Sequence, residues 1–225
     1  MNMKIFSLIL AFAGAVFYFS LNPEFYYDKK LSENEVEIYA SKKVDFDFSA
    51  IAGDIKPSLE RARANGKKIE IFIVSSQAEF FFFTYGKSGL KYWINPFNGK
   101  ALLNVCVFEE GRASMKDWPK ASLRAELAKA AVAASVKNEM ETLSFVTMDK
   151  WRLEGLSAYY SGEMPLYSPM DFCSPKNEPD FLEFENMMIM KYMLESMKLA
   201  KESALKENYL RQSLIKEARP YLCKP

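Results

Sequence analysis

Residues 122–162 read SLRAELAKAAVAASVKNEMETLSFVTMDKWRLEGLSAYYSG, and two helices are expected in them. Trp118-Pro119 announces the first, from about Lys120 to Lys137. It carries Ala125, Ala128, Ala130, Ala131, Ala133 and Ala134, so another element can approach its backbone closely. The second runs from about Asp149 to Tyr160 and stops at Ser161-Gly162.

Upstream, Ile69-Glu-Ile-Phe-Ile-Val74 is the clearest strand, rich in β-branched residues. Gln77–Tyr85, entered from Ser75 or Ser76, predicts a helix whose four consecutive phenylalanines, Phe80 to Phe83, favour core packing over a membrane or partner contact. Lys91–Ile94 and Ala101–Phe108 flank Asn95-Pro-Phe-Asn-Gly99, the chemistry of a hairpin loop between antiparallel strands. Earlier still, Ile51–Ala64 has helical spacing and stops at Asn65-Gly66, while Val36–Tyr39 and Val44–Phe48 alternate as short strands. Downstream, Met164–Asp180 holds four prolines and reads as an ordered loop. A long helix is expected over Phe181–Ala218, with Ile189, Met193, Met197, Ala200 and Ala204 as its apolar stripe and Pro220 as its stop. The order predicts an α+β fold: a small mixed or antiparallel sheet, then a helical half, preceded by one N-terminal transmembrane or signal helix. Residues 1–24 would be the anchor or signal and 25–225 a single domain.

The composition excludes more than it selects. Thirty basic against 29 acidic side chains give a net charge of +1, without the polybasic footprint of a nucleic-acid binder. There is no histidine. Serine or cysteine nucleophiles activated by an imidazole base are therefore excluded, as is every zinc site with histidine donors. Three cysteines cannot supply an all-thiolate zinc site of four ligands.

Ile5–Leu21 is an uncharged run of 17 residues preceded by Lys4, near the lower limit for crossing a bilayer. Membrane association through residues 5–21 is expected; a cleaved signal peptide, cut after Ala11-Phe-Ala13 or Ala13-Gly-Ala15, is the alternative. Phe25-Tyr26-Tyr27 follow at interface depth. Either way the body lies outside the cytoplasm, periplasmic or extracellular, or secreted if the signal is removed. In such a compartment Cys173 and Cys223 have the choice of forming a disulfide or remaining free, while Cys106, within LLNVCVF, packs as a small hydrophobe.

The segment Trp151-Arg-Leu-Glu-Gly-Leu-Ser-Ala-Tyr-Tyr160 resembles the W-L-x-E-G-[LF]-A-x-Y stretch of gluzincin zinc metallopeptidases, and Ala125-Glu-Leu-Ala-Lys129 aligns with their H-E-L-x-H helix. A strand, a helix and an apolar hairpin precede that helix as in the family, so the resemblance covers about Ile69 to Gly162. It implies Glu126 in the general-base position, Glu154 as the carboxylate ligand, Ala125 and Lys129 in the two histidine positions, and Tyr159 or Tyr160 near a tyrosine that supports the oxyanion. With both imidazoles lost, no metal and no cofactor is expected, and the domain reads as a pseudoenzyme. Positions 125 and 129 share a helix face, and Lys129 is expected to bridge Glu126 and Glu154 in place of the metal. The plainer alternative leaves Glu126 and Lys129 as solvated helix charges.

The role expected is binding or scaffolding of a peptide or protein at the Ala101–Phe108 strand edge. Two alternatives stand beside it: an envelope structural protein assembling through Met187, Met188, Met190, Met193 and Met197, and a metal-independent hydrolase using Glu126 and Glu154. Ser203-x-x-Lys206 and Ser213-x-x-Lys216 fit a serine–lysine pattern without supporting context, and Asp45-Phe-Asp47 is a carboxylate pair without a third ligand.

Overall fold

A computed structural model describes residues 3–33, 35–44, 46–64, 66–109, 112–162, 166–176 and 178–223. Helix α1 (Met3–Leu21) and a short 3-10 turn (Pro23–Phe25) lead into β1 (Asp28–Glu33) and β2 (Val36–Ala40). Helix α2 (Ser49–Arg61), β3 (Ile69–Ile73), α3 (Gln77–Phe83), β4 (Tyr92–Ile94) and β5 (Ala101–Leu103) complete the first half. Together the strands make a mixed sheet in the order β1-β2-β3-β5-β4. Strands β2, β3 and β5 run parallel, and β1 and β4 close the edges antiparallel. The central strands are buried because helices cover them, and their side chains are nearly all apolar (Val36, Ile38, Ile69, Ile71, Ile73, Leu103).

A second, antiparallel sheet, β6 (Cys106–Glu109), β7 (Arg112–Met115) and β8 (Trp118–Ser122), feeds directly into α4 (Leu123–Glu139). Trp118-Pro119 thus lies in a strand rather than opening the helix, which begins only where the Ser122 hydroxyl accepts from the Ala125 amide. Helix α4 has no solvent face to speak of: Leu127, Ala130, Ala131, Ala133 and Ala134 are all within the first core cluster, against the sheet and α2. Helices α5 (Thr142–Thr147) and α6 (Lys150–Ser161) follow, and Gly162 closes α6 with φ of 69°.

The C-terminal region departs from the expected single helix. It comprises a 3-10 turn (Pro169–Cys173), α7 (Pro179–Lys191), a π turn (Tyr192–Ser196), α8 (Lys201–Lys206) and α9 (Arg211–Leu222). Lys198 at φ of 58° breaks the stripe after the π turn, and extended backbone at Glu207 and Leu210 turns it again. Folded back this way, the chain buries Met188, Met190 and Met193 in its own second core cluster, so those methionines do not form an assembly stripe. Pro220 lies inside α9 rather than ending it. Val44–Phe48 is not a strand among its described residues; Phe46 and Phe48 pack on Phe108 instead. Asp45, Asn65 and Met164 fall outside the described residues, and Asp47 accepts from the Ser49 amide and hydroxyl at the start of α2.

Cys173 and Cys223 are joined in a disulfide that ties the 3-10 turn to the end of α9. Helix α1 forms where the apolar run predicts it, yet among the described residues no helix is long and apolar enough to cross a membrane. Seventeen uncharged residues rise only about 26 Å as a helix, short of a hydrocarbon core of about 30 Å. The last turn is also engaged by the body: Ser20 is buried and shares a 3.2 Å hydrogen bond with Tyr85.

Candidate functional site

Glu126 lies in the first turn of α4 with its side chain only 2% exposed. One turn on, Lys129 donates to Glu126 Oε1 at 2.8 Å and to Glu183 Oε1 in the first half of α7. Lys91, just before β4, donates to Glu183 Oε2 at 2.8 Å, lies 3.4 Å from Asp180 and 3.8 Å from Glu126. Three stretches far apart in sequence thus converge on two ammonium groups and three carboxyls. The i, i+3 spacing of a helix places the first pair; docking of α7 supplies the rest.

The Lys129–Glu126 half of the expected bridge is present, but Glu154 is not its other end. Glu154, on α6, accepts from Asn186 Nδ2 at 3.0 Å, and Asn186 Oδ1 accepts from Arg211 Nε at 2.7 Å. Arg211 and Arg219 both reach Glu185, at 2.5 and 3.1 Å, so Glu154 belongs to a neighbouring network. The reason is the close approach of α7: Gly155 brings the Asn186 backbone so near that a Cβ there would lie 2.4 Å from its carbonyl oxygen. With α7 seated against α6, Glu183 reaches Lys129 and Asn186 covers Glu154. Tyr159 donates to Glu195 at 2.9 Å, and burial and that carboxylate push its phenol up to about 12. Ala125, in the other histidine position, is buried.

Electrostatics follow from the count. Burial pushes the Glu126 carboxyl up, and the neighbouring Glu183 adds to the push against the pull of Lys129. Its Oε2 is buried without a hydrogen-bond partner, at less cost for a neutral acid than for a carboxylate. Burial works against the Lys129 ammonium, but Glu126 and Glu183 hold it well above the ordinary lysine value. Lys91 is raised in the same way, burial opposing and Glu126 and Glu183 prevailing. Glu183 is held low by Lys129 and Lys91 in spite of burial. Glu154 is raised by burial and by Glu183. Lysines held protonated offer no lone pair to a substrate.

Among the described residues, no group of three or more acidic or cysteine side chains converges as a set able to hold a metal ion. Cys106 is half-buried beside Met115, and burial pushes its thiol up to about 12, far from a reactive thiolate. Lys206, Ser213 and Lys216 are on exposed helix faces. A cleft of about 380 Å³ lined by Glu33, Glu35, Val36, Lys56, Leu59, Glu60 and Ala64 shares no residue with the ion cluster. The expected Ala101–Phe108 edge is corrected in part: Ala101–Leu103 is paired on both sides, by β3 and β4, whereas β6 is an outer strand of the second sheet. Sequence reading missed Lys91, Asp180, Glu183 and Asn186. Their only local signal was a paired Asp180/Glu183 turn at the start of a helix. No family model matches this chain, and comparison with curated proteins returns no match.

Proposed function

We propose that the chain is a membrane-anchored extracytoplasmic protein whose domain is a metal-free relative of gluzincin peptidases and acts by binding or scaffolding rather than hydrolysis. The observation that supports this reading is Lys129: at the position that the resemblance aligns with a zinc histidine, it donates to Glu126 at 2.8 Å in a buried site. Lys91 brings a second ammonium to the same carboxyls, so the cluster holds two positive charges, as a divalent ion would supply. The Cys173–Cys223 disulfide favours an oxidising compartment. The exposed apolar side chains of α1, among them Leu8, Ile9 and Phe12, favour lipid over water around that helix. A peptide or protein partner adds to β6, Cys106–Phe108, which among the described residues is an outer strand of the second sheet.

Restoring the metal site tests the correspondence. The variant A125H/K129H/N186A, in which Glu154 is released from its Asn186 partner, is expected to take up one zinc per chain, measured by metal analysis after dialysis, and to lose it when Glu154→Ala is added. A folded A125H/K129H/N186A that takes up no zinc, or whose zinc is indifferent to Glu154, overturns the peptidase-like reading.

A further inference from the structure

The exposed aromatic surface gathers where α1 leaves the body. Phe25 and Tyr26 after α1, Phe81, Phe82 and Tyr85 at α3, and Phe97 in the β4–β5 turn are each between 40% and 61% exposed. The run of four phenylalanines is thus split: Phe80 and Phe83 enter the core while Phe81 and Phe82 face outward. These stretches meet the end of α1 directly. Phe17 stacks on Tyr85 at 6.2 Å and meets Phe97 edge-on at 5.9 Å, and Phe19 meets Phe25 and Tyr26 at 6.1 and 6.4 Å. Polar ties hold the junction: Asn98 Nδ2 donates to the Leu21 carbonyl at 2.8 Å, and Lys100 pairs with Glu24 at 2.5 Å.

We propose that this aromatic collar is the face on which the folded body rests in the headgroup region of a lipid bilayer. The inference rests on the reading of α1 as an anchor and adds the body's own contact to it. Length is the first argument. An uncharged run of 17 residues, about 26 Å as a helix, is too short for a core of about 30 Å, and a short anchor draws whatever is attached to it toward the hydrocarbon. Composition is the second, since an amphipathic aromatic ring is the side chain best suited to that depth. Continuity is the third: the apolar surface of α1 runs without a break, through Phe17 and Phe19, into the collar. Lys87, exposed two residues beyond Tyr85, can extend its ammonium to lipid phosphates while its stem lies along the apolar surface.

The test uses the full chain carrying Phe82→Trp in phosphatidylcholine vesicles, with and without bromine on the acyl chains. Flotation with the vesicles reads the anchor; the emission gained over the parent chain reads the collar. The expected result is flotation together with loss of most of that added emission in brominated lipid. Flotation without quenching overturns the collar and leaves the anchor standing. Flotation in which the added tryptophan is shielded but unquenched, in a chain that cross-links as a dimer, assigns the face to a second copy and overturns it too. A chain that does not float overturns both.

Discussion

Replacing Lys129 by methionine keeps the length and most of the volume of the side chain while removing its charge, so the expected loss is electrostatic rather than a packing defect. At 2.8 Å, the Lys129–Glu126 attraction is worth about 6 kcal/mol at an effective dielectric near 20. Part of this is returned because the variant no longer desolvates an ammonium. Lys91 stays, 3.8 Å from Glu126 and 2.8 Å from Glu183, and shields both carboxyls partially. The net cost expected is roughly 3–5 kcal/mol, the range for a buried pair deprived of one member. Chemical denaturation at pH 7 reads it as a lower midpoint with unchanged slope, and thermal melting as a fall on the order of 10 °C. Adding Glu126→Leu to Lys129→Met should recover most of the loss, because an apolar pair of similar volume leaves no stranded charge. A single variant that unfolds like the parent, or a double variant no better than the single, refutes the reasoning.

Gly155→Ala should cost roughly 3 kcal/mol in the same assay, because its methyl carbon would meet the Asn186 carbonyl at 2.4 Å; wild-type stability would show that α6 and α7 can part freely. Reducing the Cys173–Cys223 bridge, which closes a separation of 50 residues, should lower stability by about 4 kcal/mol on loop-closure grounds, and an unchanged denaturation midpoint in reductant would contradict this. Two carboxyl variants should show pH dependences of opposite sign. Glu37 is held at about 2 by Lys29, Tyr39 and Lys68 despite partial burial, so its contribution is present above the unfolded value of 4.5 and fades as pH falls toward 2. The stability gap between the parent and Glu37→Gln should therefore close on acidification. Glu126 is raised, so the folded state keeps a proton that the unfolded chain releases, and stability falls as pH climbs above 4.5 through the folded value. Glu126→Gln should gain on the parent over that climb; a parallel pair of profiles would mean that Glu126 titrates normally.

Local signals carried much of the fold. The β-branched run Ile69–Ile73, the Ser76 cap of α3 and the Gly162 stop of α6 each act within a few residues, and each appears where its chemistry predicts it. The hairpin chemistry of Asn95–Gly99 likewise joins β4 to β5 antiparallel. What stayed hidden depended on distant contacts. Apolar spacing over Phe181–Ala218 is compatible with one helix, and only the need to cover α6 and close the Cys173–Cys223 loop folds it into three. Strand β1, with its polar sequence Asp28–Glu33, is a strand because β2 offers it an edge. At the site, the Glu126–Lys129 pair was legible because it is one helical turn long. Glu183 and Lys91 were not, since they lie 54 and 38 positions from Lys129 and reach it only through packing. Glu154 and Gly155 read as a metal motif, yet the glycine has a sufficient packing reason in the approach of Asn186.

Under the proposed function, the Lys129 and Lys91 ammonium groups offset Glu126 and Glu183 where the peptidase relatives would use a divalent ion. The most direct measurement is a zinc titration of the chelator-treated full chain, followed by thermal melting. The melting temperature is expected to stay at the metal-free value across the titration, because Lys129 and Lys91 already occupy the carboxyls. A saturable rise in melting temperature at one zinc per chain, abolished by Glu126→Gln, would contradict the account.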